Sequence, residues 1–319
     1  MSDSRSALEK FSKFAWLVLA YTVVVIMWGA FVRATGSGAG CGEHWPLCNG
    51  EVIPRDPGMA RIIEFSHRLT SGLSLILVGA LFIWSRRLFA PGHGVRKAAG
   101  WSLIFILGEA AVGAVLVVLQ LVAGNDSVLR AIVIAFHLVN TFLLLFWQTR
   151  VAFLANPLRT PQYEEKNAHA SKARVNIMIC MVAFALTGAA GAIVALGDTL
   201  FPAKSLAEGM AEDFSATAHF LIRLRIWHPL IALASTCYIA LQSLILPRVF
   251  GSVVQGKLGF LVCILMIAQL AGGVLNWLLL APIWMQLVHL MFADITWIVM
   301  CLWYFNTGRK GANPEEAIQ

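Results

Sequence analysis

Four histidines lie within apolar stretches of the sequence, and their residue type and spacing suit the binding of iron. They are His67, His137, His228 and His289. An ionisable side chain is costly inside a membrane and generally serves a partner or a pathway. Two imidazoles at matched depth on neighbouring helices can ligate one heme iron from opposite faces. The four histidines therefore predict two heme sites, with packing histidines, a proton relay or a non-heme metal site as the alternatives.

Two cysteines lie in the glycine-rich loop 36–54 that precedes the first histidine. Cys41 and Cys48 are seven residues apart, in a loop predicted to face the outer side of the membrane, where disulfides persist. Glycine and proline around them permit the tight loop that so short a bridge needs. A disulfide there would be either a structural staple or a redox pair, since thiol–disulfide exchange requires an accessible pair rather than C-x-x-C spacing.

Glu64 is an acid next to the first histidine. It precedes His67 by three residues, so both side chains lie on one helix face. A partly buried carboxylate at that place could transfer a proton or stabilise a cationic intermediate. The alternative is an interfacial carboxylate paired with Arg61 or Arg68.

The second pair of histidines has a basic neighbour instead. Arg225 precedes His228 by three residues and suits a heme propionate. An acid at one pair and a base at the other predict one reactive site and one holding site. Glu109 and Asp294 are further embedded acids, to which the sequence assigns no partner.

The composition identifies the elements that must position these residues. Of the 319 residues, 59% are hydrophobic and 13% charged, and the mean hydropathy is +0.75. A soluble domain carries about 25% charged residues. These figures exclude a soluble globule, a disordered chain, a coiled coil and a disulfide-stapled domain. They predict an all-α polytopic membrane protein.

Eight apolar runs are long enough to span a membrane, because a span needs about 20 residues. They are residues 14–34, 62–85, 99–120, 130–153, 175–197, 218–246, 257–279 and 282–305. The first is expected to be a retained span and not a signal peptide. Roughly two-thirds of the 24 Lys and Arg residues fall on the side of the N-terminus, which predicts that both termini are cytoplasmic. The net charge of +7 is thus mainly a topology signal, and no nucleic-acid partner is expected.

The spans divide into two similar sets of four. The matching motifs are residues 29–36 and 188–197, then Glu109-x-x-x-Gly113 and Gln269-x-x-x-Gly273. Parallel repeats imply a pseudo-twofold axis along the membrane normal. The expected division is an N-terminal half, residues 1–155, and a C-terminal half, residues 156–319, each a four-helix bundle.

Together these residues resemble the heme A synthase family of cytochrome oxidase assembly, in its cysteine-containing bacterial type. The resemblance rests on G-A-F-V-R-A-T-G-S-G-A-G-C-G-E-H-W-P-L-C-N-G at residues 29–50, E-F-S-H-R at residues 64–68 and the four histidines. The sequence departs from Bacillus-like members at Pro229, where they carry Arg. It also has no second cysteine pair between the fifth and sixth spans.

The resemblance implies an oxidoreductase that converts a methyl group of heme O into the formyl group of heme A by successive hydroxylations. One resident heme b would be held by His228 and His289, and the substrate heme O by His67 and His137. Catalytic roles are implied for Glu64 and for the disulfide pair Cys41 and Cys48.

The resemblance also implies a location and partners. The chain would lie in the bacterial inner membrane, with a heme O synthase and an electron donor or acceptor as partners, and a homo-oligomer is left open. Two other functions are a quinol-linked electron-transfer cytochrome with two b hemes, and a non-enzymatic assembly factor or transporter. Glu64 favours the enzyme, since an electron carrier needs no acid at one heme only.

Overall fold

The computed structural model describes residues 2–55, 58–156, 168–250 and 253–307. Within those ranges the chain is helical and forms no strand. The α-helices are α1 (Ser2–Ala34), α2 (Met59–Leu88), α3 (Gly94–Val118), α4 (Val128–Leu154), α5 (Ala168–Leu200), α6 (Leu206–Asp213), α7 (Phe220–Arg223), α8 (Trp227–Phe250), α9 (Val253–Leu278) and α10 (Ile283–Asn306). Eight stretches are long and apolar enough to cross a membrane, with α7 and α8 forming one of them. The predicted all-α architecture with eight spans is confirmed.

Each half of the chain forms a closed ring of four long helices. In the N-terminal half α1 packs on α2, α2 on α3 and α3 on α4, and α4 returns to α1. In the C-terminal half α5, α8, α9 and α10 pack in the same cyclic order. The halves meet through α1, α4, α5 and α10, and exchanging each helix with its counterpart leaves this set of contacts unchanged. The contacts agree with the repeat, whereas the pseudo-twofold axis and the boundary at residues 155 and 156 stay predictions.

The interface between the halves is tightly packed. The Phe142 and Trp297 rings stack with centroids 4.7 Å apart, and the Trp297 indole N–H donates to the Phe142 carbonyl at 2.7 Å. Gly188 lies so close to Phe142 that a Cβ atom on it would be 2.8 Å from the ring. Lipid tails are as apolar as these side chains, so close packing and interhelical hydrogen bonds hold such helices together.

Arg33 fastens the halves together near one membrane surface. Its Nη1 donates to the Ala195 carbonyl at 2.6 Å and to the Thr199 hydroxyl at 2.9 Å. Its Nη2 donates to Gln286 Oε1 at 3.0 Å. One side chain from the last turn of α1 therefore joins α5 and α10.

The sixth span is present but its helix is interrupted. The helix α7 ends at Arg223, and the turn 224–226 separates it from α8. Pro229 lacks the N–H that would bond the carbonyl of residue 225, and proline is tolerated in the first turn of a helix. His228 is consequently the second residue of α8. Within the span Phe220–Val249 it is the ninth residue, so the break changes the helix before His228 but leaves it inside the span.

Candidate functional site

The first helix of each half presents a glycine to the histidine of the next long helix. Gly29 of α1 lies against His67, and a Cβ atom on Gly29 would be 2.9 Å from His67 Cε1. Gly191 of α5 lies against His228, where the corresponding distance is also 2.9 Å. A methyl group at either position would displace the imidazole ring packed against it. The glycines therefore allow the two rings to occupy their observed positions.

The third helix of each half holds the histidine of the fourth. Glu109 Oε2 lies 3.2 Å from His137 Nδ1, although outside hydrogen-bond geometry. Gln269 Nε2 lies 3.3 Å from His289 Nε2 and donates to the His289 carbonyl at 3.2 Å. Behind the His289 ring lies Gly272, whose Cβ would stand 3.4 Å from Nδ1. Glu109 and Gln269 therefore act on the histidines from equivalent helices.

Glu109 has the partners that the sequence did not assign to it. The Asn140 amide donates to its Oε1 at 2.6 Å, and the Thr141 hydroxyl donates at 3.2 Å. The sequence repeat contained the signal for a role beside a histidine. Glu109 and Gln269 occupy equivalent places in the third helix of each half, and the next helix carries a histidine in both cases. Asp294 is different: its side chain is fully buried, and neither carboxylate oxygen has a hydrogen-bond partner in the described residues.

The four imidazoles fall into one pair in each half. His67 and His137 are electrostatic neighbours, and so are His228 and His289. In all four rings Nδ1 is buried without a hydrogen-bond partner among the residues that the structure describes. Each of the four side chains is half-buried. A neutral imidazole nitrogen is a common ligand of iron, so the residues present fit an axial pair for one heme in each half.

Glu64 is engaged by the protein on both carboxylate oxygens. The backbone N–H of Cys41 donates to its Oε2 at 2.8 Å. Arg68 donates to its Oε1 through Nη2 at 2.6 Å and through Nε at 3.2 Å. The side chain is buried, with 3% of its surface exposed. The pairing with Arg68, one of the two interpretations of the sequence, is the arrangement observed.

The predicted disulfide between Cys41 and Cys48 is formed, with an S–S distance of 2.03 Å. Arg68 holds the loop that it closes, because Nη1 donates to the carbonyls of His44 and Leu47 at 2.6 Å each. The loop and Glu64 therefore share one arginine. Whether the disulfide is redox-active or only structural stays a prediction.

Arg225 is paired with carboxylates of the protein. Its Nε lies 2.9 Å from Asp198 Oδ1 and its Nη1 3.7 Å from Asp213 Oδ1, and Nη2 donates to the carbonyls of Gly197 and Phe201. Burial raises the pKa of the Asp213 carboxyl above its ordinary value, and the Arg225 charge opposes that rise. The part of Arg225 in binding a propionate stays a prediction.

A comparison with protein families gives this arrangement a context. The sequence profile of the family described as "Cytochrome oxidase assembly protein" matches residues 12–301. The chain belongs to this family. Its match covers both rings of helices and all four histidines, so the resemblance to heme A synthases is confirmed.

Two kinds of curated relative are similar to this member of the family. A protein of Thermus thermophilus named "Protoheme IX farnesyltransferase" is 40% identical over 313 residues, which are 97% of this chain and 50% of that protein. A "Heme A synthase" of Bacillus mycoides is 43% identical over 114 residues, which are 35% of this chain and 36% of that protein. The chain thus spans about half the length of the Thermus relative that it matches almost throughout.

Proposed function

We propose that the chain oxidises a methyl group of heme O to the formyl group of heme A. The observation that carries this proposal is a pair of neighbouring imidazoles in each half of a cytochrome oxidase assembly protein. The names of the relatives support it, since the Bacillus protein is named for heme A and the Thermus protein for protoheme IX.

In this proposal His67 and His137 hold the substrate heme O, and His228 and His289 hold one resident heme b. Bound heme supplies one-electron chemistry at its iron, whereas the protein supplies binding and electrostatics. The glycines behind the rings and the helices α3 and α9 fix the imidazoles in place. Each half then binds its heme between its second and fourth long helices.

The difference in acids between the halves supports placing the reaction in the N-terminal one. Glu64 and Glu109 lie near its histidines, where the C-terminal half has Arg225 and Gln269. A carboxylate can accept a proton or stabilise a developing positive charge, and neither an amide nor a guanidinium can. Among the described residues, the Glu64 Oε2 atom accepts one hydrogen bond, from Cys41, and so keeps a lone pair that could accept a proton.

The proposal includes a setting. The chain lies in a bacterial inner membrane with both termini in the cytoplasm and receives its substrate from a heme O synthase. An electron donor or acceptor in the membrane completes the reaction. Cys41 and Cys48 are 0% and 1% exposed, so in this proposal their disulfide exchanges electrons on the outer side only when the loop around it opens.

The test is co-expression with a source of heme O in a host that makes no heme A, followed by extraction and chromatography of the hemes. We expect heme A from the native chain. The Glu64→Gln variant should retain bound heme b and make at least tenfold less heme A, in the range that general acid–base catalysis contributes. Glu9→Gln is the matched control, since Glu9 is an exposed carboxylate paired with Arg5 on α1.

Other outcomes would contradict the proposal and name its rival. Red protein with two permanent b hemes and no heme A would identify an electron-transfer cytochrome. Colourless protein would identify an assembly factor or transporter without heme. Transfer of a farnesyl group to protoheme IX, in a host without a source of heme O, would instead support the activity that the Thermus relative is named for.

A further inference from the structure

A cavity lies between the end of α2 and the start of α3, at the membrane face opposite the disulfide loop. Its volume is about 370 Å³. Its lining includes two side chains of α2 and four of α3, namely Phe82, Arg86, Arg96, Lys97, Trp101 and Ile104. Neither the heme sites nor the proposed reaction uses this cavity.

The rim of the cavity is positively charged. Arg86 lies over the Phe82 ring, with its guanidinium carbon 4.5 Å from the centroid, and Arg96 donates to the Phe89 carbonyl at 3.5 Å. In the described parts of the chain, no carboxylate forms an ion pair with either arginine or with Lys97. The first turn of α3 adds the positive end of its helix dipole. An anion at this rim would relieve the repulsion between three cations.

The floor of the cavity is apolar and open to the side. Trp101 and Ile104 are 38% and 54% exposed on the outer surface of α3. Ile104 lies seven residues beyond Lys97, which is about 10 Å deeper along the helix. A ligand that fills both parts needs an anionic head and an apolar tail.

We propose that this cavity binds one acidic glycerophospholipid. The phosphate contacts Arg86, Arg96 and Lys97, and an acyl chain lies along Trp101 and Ile104. Basic pockets between membrane helices bind such headgroups, and tryptophan favours the depth at which headgroup meets tail. Basic residues that only orient a chain in the membrane need no cavity and no apolar floor. Arg87 provides that comparison, because it neighbours Arg86 but does not line the cavity.

The test uses the full chain in detergent and native mass spectrometry with added phosphatidylglycerol or phosphatidylcholine. The cavity variant is Arg86→Gln, Arg96→Gln and Lys97→Gln together. Its matched control is Lys10→Gln, Lys13→Gln and Arg87→Gln. This control removes three charges from the same membrane face, since Phe11 of α1 packs on Trp84 and Phe89 at the end of α2.

We expect phosphatidylglycerol to bind the native chain at least tenfold more tightly than phosphatidylcholine. The cavity variant should lose that preference, because each basic residue near the headgroup contributes a similar increment. The control should retain the preference within about twofold, because its three residues do not line the cavity. If the cavity variant does not fold, Lys97→Gln alone should weaken binding several-fold. Inorganic phosphate at millimolar concentration should not displace the lipid.

Three results would overturn the proposal. Equal losses in the cavity variant and the control would assign the preference to the charge of the whole face. An unchanged preference in the cavity variant would exclude the cavity. Displacement of the lipid by millimolar inorganic phosphate would make the cavity a site for a soluble anion.

Discussion

At the scale of single residues, Arg68 connects two parts of the site by hydrogen bonds. It donates to Glu64 through Nε and Nη2, and to three loop carbonyls through Nη1. Breaking a buried pair by removing one partner costs about 3–5 kcal/mol, because the other charge is left uncompensated. The position of Glu64 and the closure of the disulfide loop therefore depend on the same guanidinium.

Replacing Arg68 should expose the disulfide. In Arg68→Gln we expect a phosphine to reduce Cys41–Cys48 at least fivefold faster, because the loop loses the donor that fastens it to α2. Reduction is followed by the mass added on maleimide labelling. Arg55→Gln is the control, since Arg55 is an exposed basic residue after the same loop. An unchanged rate in Arg68→Gln would mean that the arginine does not restrain the loop.

Removing the disulfide should show whether it takes part in the reaction or only stabilises the loop. In the double variant Cys41→Ser and Cys48→Ser we expect several-fold less heme A, with heme b still bound in the C-terminal half. Heme content is read from the reduced absorbance spectrum and product from chromatography. Heme A formation at the native level would leave the bridge a structural staple.

At the scale of helices, the contact between a glycine and an imidazole is repeated in both halves. A methyl group on Gly29 or Gly191 would stand 2.9 Å from a ring carbon, closer than real Cβ contacts. Packed interiors accept little added volume without moving a side chain. Each glycine should thus control the heme of its own half.

Replacing each glycine by alanine should affect the proposed heme site of its own half and leave the other one unchanged. We expect Gly191→Ala to lower bound heme b several-fold, measured from the Soret absorbance per polypeptide. Gly29→Ala should leave heme b in place and lower heme A formation instead. Gly79→Ala is the matched control, because no atom lies within 4 Å of a Cβ added there. Loss of heme b in both variants would mean that the sites are not assigned by half.

The sequence predicts the helices well because hydropathy and length define a membrane span. It also predicts the disulfide between Cys41 and Cys48, and it gives the ion pair of Glu64 with Arg68 as one of two interpretations of Glu64. It does not predict the break in the helix before His228, because the apolar run continues through the turn 224–226 where the helix stops. Pro229 was the signal for that break, since proline is tolerated in the first turn of a helix and not in its interior.

At the scale of the whole molecule, Arg33 joins the halves. Three of its hydrogen bonds cross from α1 to α5 and α10. Hydrogen bonds from a charged group contribute about 1.5–3 kcal/mol each, and a buried acceptor left unpaired adds a further cost. The relative position of the two histidine pairs depends on this connection together with the stacked Phe142 and Trp297.

Replacing Arg33 should loosen the halves. In Arg33→Ala we expect the apparent midpoint of thermal unfolding in detergent to fall by several degrees, with heme b lost at lower temperature than in the native chain. Both are followed by absorbance and circular dichroism during heating. Arg223→Ala removes an exposed arginine of α7 and should leave the midpoint unchanged. If Arg33→Ala unfolds at the same temperature as the native chain, the stacked Phe142 and Trp297 hold the halves together without Arg33.

Each histidine is supported by the long helix that directly precedes its own in the chain. In the second span of each half the histidine packs against a glycine of the preceding long helix, His67 on Gly29 and His228 on Gly191. In the fourth span the histidine lies beside a polar side chain of the preceding helix, His137 beside Glu109 and His289 beside Gln269. Helices that follow one another can enter the membrane as hairpins during synthesis. Four hairpins can thus be inserted with one imidazole already oriented in each, and under the proposed function a heme would then join two hairpins into a half.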